Sequence, residues 1–507
     1  MTRLLLLSLL LTLPAGADDQ DKKKAPEKLQ AAVTRGPLAQ AEEKAAAGDL
    51  DGAIEILSKA APGAGGDVSL RLGQLLERRF DLDMAMDAYK AAAEKLSGAA
   101  KGEALARMAV ILELRGMPEA PATAEAAAAA DPEGAWPLIA RARARAREGK
   151  GDEALALAQK AQAAGGGAAA TTALGFAQEA RGDLPAAEAA YREVAAAMVG
   201  GAATAAEPAQ VTAGVGLARV LRKTNRAAEA EPVLLKALQA APGAVDAYKE
   251  LARVKVALNR AEEAMGDAAT AAALAEADPD AQRLAIEVTV AKAVATLATS
   301  PDLALQDLIK LRDQKPDLAF VRVGLARAYV AKRQAEAALT ELRKAVELAP
   351  NEGEAHYQLG YVLLVLKRDA ASALPALERA VAADPGNTEY RTWLGAAAIE
   401  AKQLDRAVED LTKVVESPGY RKLEAWVYLG QAHLSAKRYK EALAALERAN
   451  ALAPDNAAIE ASTAWAYFGL KDSKSFLTWA GKARTHGHKE PTLLGYLARV
   501  EKGEAIK

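Results

Sequence analysis

A regular beat of prolines constrains this chain more than any other feature. Ala349-Pro350, Asp384-Pro385 and Ala453-Pro454 each open a short polar turn, and Lys315-Pro316 and Ser417-Pro418 keep the same step. Pro316, Pro350, Pro385, Pro418 and Pro454 therefore lie 34, 35, 33 and 36 residues apart. A fixed period of this length marks a supersecondary unit that cannot bury its apolar face alone and must stack on copies of itself.

The stretch from Leu423 to Pro454 shows what one unit contains. Trp426, Leu429, Gly430 and His433 fall at i, i+3, i+4 and i+7, one stripe of a first helix. Gly430 has no side chain, so a second helix can approach closely there. Lys437-Arg438-Tyr439 supplies the turn, and Ala442, Leu446 and Ala449 form the inner stripe of the second helix. Pro454 comes where that helix must stop, because proline lacks the N–H that would continue it.

The interval recurs upstream as Ala326, Ala338 and Pro350, as Ala218, Ala230 and Pro242, and, with a larger first residue, as Met108, Ala120 and Pro132. Gly73 with Ala85 and Tyr89, Gly175 with Ala187 and Tyr191, and Gly395 with Ala407 and Leu411 repeat the helix pair without the proline. Gly360 precedes Ala373 by 13 residues instead of 12, which predicts a longer turn at Lys367-Arg368-Asp369. Weaker units surround Ala41 with Ala53, Ala142 with Ala154, and Ala252 with Ala264. The least regular are Ala281 to Pro316 and the last unit, around Ala464, Phe476 and Ala483.

This pattern resembles the tetratricopeptide repeat throughout. The resemblance implies an all-α protein, a right-handed α-solenoid of about 13 helix-turn-helix repeats with first helices on the concave wall and second helices outside. It also implies a groove that holds an extended peptide, a helix or a neighbouring domain. The expected organisation is a signal peptide over 1–17, a charged linker over 18–36, and N-terminal repeats over 37–200. Central degenerate repeats over 201–316, C-terminal repeats over 317–485 and a capping helix over 486–507 complete it. Glycine-rich or irregular stretches at Gly165-Gly166-Gly167, Val199 to Gln210 and Thr296 to Pro301 read as variation in loop length or as hinges.

Arg3, the apolar run Leu4 to Leu13 and Ala15-Gly16-Ala17 together have the form of a cleavable secretory signal. The run is shorter than the roughly 20 apolar residues a membrane span needs. A soluble, exported, periplasmic chain is the expectation, associated with a membrane only through partners.

Composition removes several function classes. The sequence has no cysteine, so disulfides, thiolate metal sites and cysteine nucleophiles are excluded. Lys+Arg 65 against Asp+Glu 67 gives a formal net charge of -2, without the basic excess of a nucleic-acid binder. His356 and His433 fall on first helices of separate units, with acids such as Glu354 read as ordinary solvated charges. His486-Gly487-His488 offers two nitrogens but no evident carboxylate partner, so it reads as an exposed loop and no metal is assigned. Gly149-Lys150-Gly151 lacks the upstream glycine of a phosphate loop. Arg141, Arg143, Arg145 and Arg147 alternate at i+2, which a helix splits onto two faces. No catalytic residue and no cofactor is expected.

Of 22 aromatic residues, 16 follow Pro316. On the first helices Phe320, Arg327, Tyr357, Tyr361, Gln431 and Trp465 occupy positions directed away from the helix partner, and aromatic and Arg side chains anchor protein interfaces. The expected partner surface is the concave wall from about residue 318 to 470. In the plainer reading, the same aromatics fill the stack between units. Two function classes remain: a periplasmic scaffold or adaptor binding other proteins of an envelope machine (motility, secretion, polysaccharide export or outer-membrane assembly), or a carbohydrate-binding or enzyme-associated module of the envelope.

Overall fold

A computed structural model describes residues 36–198, 207–276, 278–417 and 419–506. The expected signal peptide, nearly all of the charged linker and most of the 199–210 stretch lie outside the described residues. Among the described residues there are 27 α-helices, two short 3-10 helices and no strand.

The helices follow one another as two-helix units. The first units are α1 (Pro37–Ala46) with α2 (Leu50–Ala60), α3 (Gly66–Arg78) with α4 (Leu82–Lys95), and α5 (Gly98–Leu114) with α6 (Ala120–Ala130). Then come α7 (Ala135–Arg147) with α8 (Gly151–Ala163), α9 (Gly167–Ala180) with α10 (Leu184–Ala196), and α11 (Pro208–Lys223) with α12 (Ala227–Ala240). Next are α13 (Val245–Ala257) with α14 (Ala261–Leu274), α15 (Pro279–Ala295) with α16 (Pro301–Gln314), and α17 (Ala319–Ala331) with α18 (Ala335–Leu348). The last pairs are α19 (Gly353–Val365) with α20 (Ala370–Ala383), α21 (Thr388–Glu400) with α22 (Leu404–Val415), α23 (Leu423–Ser435) with α24 (Tyr439–Leu452), and α25 (Ala457–Gly469) with α26 (Ser473–Thr485). A single helix, α27 (Pro491–Glu501), closes the array, so 27 helices make 13 pairs and a cap.

The chain divides into two compact units, one ending at Thr289 and the other starting at Val290, and the division falls inside α15. No helix among the described residues is long and apolar enough to cross a membrane.

Local chemistry explains why the chain turns where it does. The first helix of a pair commonly ends on a residue in the left-handed region: Gly48, Gly149 and Gly182 in the first unit, Arg333, Lys402, Lys437 and Lys471 in the second. After three of these turns the next helix starts on an Asp whose side chain accepts from its own first turn. Asp49 accepts from the Gly52 N–H, Asp183 from that of Ala186, and Asp472 from that of Ser475. Between α19 and α20 the turn spans four residues, Leu366 to Asp369, where Ala436 to Arg438 suffice between α23 and α24. The extra residue expected from the 13-residue interval is therefore present, with Arg368 taking the left-handed conformation.

Four of the pairs are locked by a close contact at a glycine. A Cβ placed on Gly73 would lie 2.5 Å from the Tyr89 ring, and one on Gly175 would lie 2.5 Å from that of Tyr191. One on Gly395 would lie 2.6 Å from Leu411, and one on Gly430 would lie 2.7 Å from Leu446. All four large partners are fully buried. The capping helix buries Leu493, Leu497 and Val500 in the same cluster as Phe476, Ala480 and Ala483 of α26.

Candidate functional site

In the second unit, four successive first helices, α17, α19, α21 and α23, bring their residues to one cavity of about 520 Å³. From α17 comes Arg327; from α19 come Glu354, Tyr357, Gln358 and Tyr361; from α21 come Glu389, Thr392 and Trp393. Tyr420, Lys422 and Glu424 close it at the start of α23. A second cavity of about 280 Å³ adjoins it, sharing Trp393 and adding Leu364, Tyr428 and Gln431.

Aromatic rings form the floor. Tyr390 stacks on Tyr357 with ring centres 5.0 Å apart, and Tyr357 lies 6.3 Å from Tyr361. Tyr361 meets Trp393 edge-on at 4.8 Å, and Trp393 lies 6.1 Å from Tyr428. Five rings thus run in contact across three helices.

Above the floor the polar groups cross over between helices. The Tyr357 hydroxyl donates to Glu389 Oε1 at 2.9 Å, and the Tyr390 hydroxyl donates to Glu354 Oε2 at 3.2 Å. Gln358 Nε2 donates to Glu354 Oε1 at 2.9 Å. Burial pushes the Glu354 carboxyl above its ordinary value, and the nearby Glu389 charge acts in the same direction. Burial likewise raises the Tyr357 and Tyr390 hydroxyls, with Glu389 and Glu354 respectively adding to it, so both phenols stay protonated and remain donors. Among the described residues no cation lies within 4.0 Å of Glu354, Glu389 or Glu424, and neither Arg327 nor Lys422 makes a salt bridge.

The first unit has a cavity too, of about 300 Å³, but its charges are matched to each other. Arg143 Nε donates to Glu113 Oε2 at 2.9 Å, and Arg147 Nε to Glu113 Oε1 at 3.0 Å. Arg222 pairs with Glu250 at 2.6 Å, and Lys249 pairs with Asp246, Asp278 and Asp280 at 2.8, 3.0 and 3.3 Å. The Arg143 and Arg219 guanidiniums lie 4.2 and 5.2 Å from the ring centre of Phe176. This wall has spent its charges on its own cohesion; the wall of the second unit presents them.

The residues expected from sequence are distributed as follows. Arg327, Tyr357 and Tyr361 converge on the larger cavity, and Gln431 lines the adjoining one. Trp465 packs against Phe468 at 5.4 Å and against Tyr496 of the capping helix at 5.8 Å, and Phe320 is half-buried at the start of α17; neither lines these cavities. Glu354, Glu389, Tyr390, Trp393, Tyr420 and Tyr428 were missed. A signal for the acids was available: Glu354, Glu389 and Glu424 each stand six residues before the contact glycine of their unit, Gly360, Gly395 and Gly430.

Two expectations need correction. Glu354 is no ordinary solvated charge: it is half-buried and bonded to Gln358 and Tyr390, because the next first helix closes over it. Nor does His486 lack a carboxylate partner. Its Nδ1 lies 2.8 Å from Glu460 Oε2 and its Nε2 3.8 Å from Asp455 Oδ1. Packing of α26 along α25 brings together groups 26 residues apart in sequence. One oxygen of each acid and one ring nitrogen lie within 4.8 Å of one another. The arginine run behaves as its spacing predicts, Arg143 and Arg147 meeting Glu113 while Arg141 and Arg145 meet Glu125.

Stacked helix pairs and an open groove with unmatched charges define a repeat scaffold of the kind that binds other proteins. Residues 323–388 match the family model for the tetratricopeptide repeat, and residues 367–449 match that for subunit 3 of the anaphase-promoting complex, cyclosome. Residues 323–449 therefore carry tetratricopeptide-type repeats. No curated protein matches the sequence. Among solved structures it is similar to YrrB, described as a TPR protein with an unusual peptide-binding site, at 22% identity over 37% of this chain and 96% of that one, with a TM-score of 0.33. PilW, a type IV pilus biogenesis factor, is 13% identical over 42% and 97% of the two chains, with a TM-score of 0.38. The Cut9-Hcn1 hetero-tetramer of the APC/C is 13% identical over 80% and 96%, with a TM-score of 0.31. Likenesses at these TM-scores carry no argument about what this chain does.

Proposed function

We propose that this chain is a non-enzymatic scaffold that holds a polypeptide segment of a partner along the Trp393 groove of its second unit, and that it works in a bacterial envelope complex after export to the periplasm. The observation that carries the binding reading is the aromatic floor from Tyr390 to Tyr428 beneath carboxylates and cations that have no salt-bridge partner. Large rings give contact area at small entropic cost, and they flank a cavity deep enough for a side chain. Export is supported by the pattern of residues 1–17.

The test places a photo-crosslinking amino acid at Tyr361 in the full chain expressed with its own N-terminus, and repeats the experiment with Trp393→Ala. A discrete polypeptide adduct, lost on Trp393→Ala while far-UV circular dichroism is unchanged, is the expected result. Retention on glycan resin with no polypeptide adduct would favour the carbohydrate-binding alternative, and adducts insensitive to Trp393 would remove the groove as the site. Recovery of the protein in the cytoplasmic fraction with residues 1–17 still attached would remove the envelope reading.

A further inference from the structure

The groove also indicates which chemistry its occupant must carry. Its acids are regularly placed: Glu354, Glu389 and Glu424 hold one position in three consecutive repeats, 35 residues apart each time, in the first turns of α19, α21 and α23. An acid in the first turn of a helix complements the helix dipole, and that alone accounts for its residue type. It does not account for the surroundings. All three line one cavity with Tyr361 and Trp393, and two of them accept tyrosine hydroxyls that fix their carboxylates in place. The corresponding acid of α13 in the first unit, Asp246, is by contrast satisfied within the fold by Lys249 at 2.8 Å. Arg327 and Lys422 come only from the outer helices α17 and α23, so the middle of the groove is acidic and aromatic.

Carboxylates beside aromatic faces recognise an ammonium or guanidinium through a charge-assisted hydrogen bond and a cation–π contact. Adjacent packed helices stand roughly 8–10 Å apart. A polyproline II segment rises about 3.1 Å per residue with three residues per turn, which puts every third side chain on one face about 9 Å apart. We infer that the groove takes an extended basic segment, with a Lys or Arg at about every third position meeting Glu354, Glu389 and Glu424 in turn while the apolar stems lie against Trp393 and Tyr361. This rests on the groove being the binding site.

The test uses the full-length chain and three fluorescein-labelled peptides of about 12 residues, built on the repeats Lys-Pro-Ser, Gln-Pro-Ser and Glu-Pro-Ser, with fluorescence anisotropy as the readout. The Lys peptide should bind at least about tenfold tighter than the Gln peptide, lose that advantage in high salt, and leave the Glu peptide weakest. The triple variant Glu354→Gln, Glu389→Gln, Glu424→Gln should bring the Lys peptide down to the Gln peptide. Equal binding of all three peptides, a preference for the Glu peptide, or a Lys preference that survives in the triple variant would overturn the inference and leave the groove standing. Failure of every peptide to bind, or binding indifferent to Trp393→Ala, would remove the groove reading and the inference with it.

Discussion

At the scale of single residues, volume is exchanged between two positions 16 residues apart in seven of the pairs, while Ala41, Ala218 and Ala326 stand opposite Leu57, Leu234 and Leu342. Where the first helix offers glycine, as at Gly73, Gly175, Gly395 and Gly430, the second offers Tyr89, Tyr191, Leu411 and Leu446. Where the first offers Ala142, Ala252 or Ala464, the second shrinks to Ala158, Ala268 or Ala480, each fully buried. Close-packed interiors tolerate a conserved sum better than a changed one. Gly430→Ala should therefore lower stability by roughly 1–3 kcal/mol, because Leu446 is fully buried and has little room to withdraw. Adding Leu446→Ala should cost less than the sum of the two single changes. Urea midpoints for the four chains of this double-mutant cycle check it; strict additivity would mean the two sites do not share the space.

At the scale of the element, the helices were legible and the groove only half so. Period, turn positions, the long turn at Arg368 and the cap all follow from short-range features, because helix stripes and left-handed turns are written within a few residues. Arg327, Tyr357 and Tyr361 could be picked out because each points away from its hairpin partner. Trp393 and Tyr390 were invisible because their neighbours come from the preceding unit, about one repeat earlier, and a single stripe does not show how far one first helix slides past the next. Trp465 was misleading for the same reason: in an inner unit its position opens to the groove, but here Tyr496 of α27 covers it. That covering helix carries its own prediction. Ending the chain after Glu490 strips Leu493, Leu497 and Val500 from a cluster containing Phe476, and fully burying one such side chain contributes about 1.5–3 kcal/mol. The shortened chain should bind a hydrophobic dye such as ANS and unfold at lower urea than the intact one. An unchanged midpoint without dye binding would show that α26 needs no cap.

At the scale of the molecule, Glu113 and Glu179 of the first unit respond to protons oppositely to Glu354 of the second. In the first unit, burial alone would raise Glu179, but the hydrogen bonds and charges of Arg219 and Lys223 outweigh it and hold the carboxyl down at about 2. Glu113, also buried, is held below its ordinary value by Arg143 and Arg147. A carboxyl depressed by folding contributes stability that is present above its unfolded value of 4.5 and is lost as pH falls from there toward its folded value. For Glu179 this is at most roughly 3 kcal/mol, lost between about pH 4.5 and 2. In the second unit Glu354 is raised, so its contribution has the other sign: it is complete below 4.5 and declines as pH rises through the folded value. The depressed acids of that unit, among them Glu336, Asp369 and Glu409, are exposed and screened, so they weigh little against it. Tryptophan separates the two readouts, since Trp136 is the only one of five before Thr289. A chain keeping Trp136 alone and a chain with Trp136→Phe, unfolded in urea at pH 7 and at pH 3.5, should show the first unit losing the larger share of its midpoint. Parallel losses in the two chains would mean that Glu113 and Glu179 are paired in the unfolded ensemble as well as in the fold. A loss confined to the second unit would place the acid-sensitive charges outside the ladder from Glu113 to Asp278.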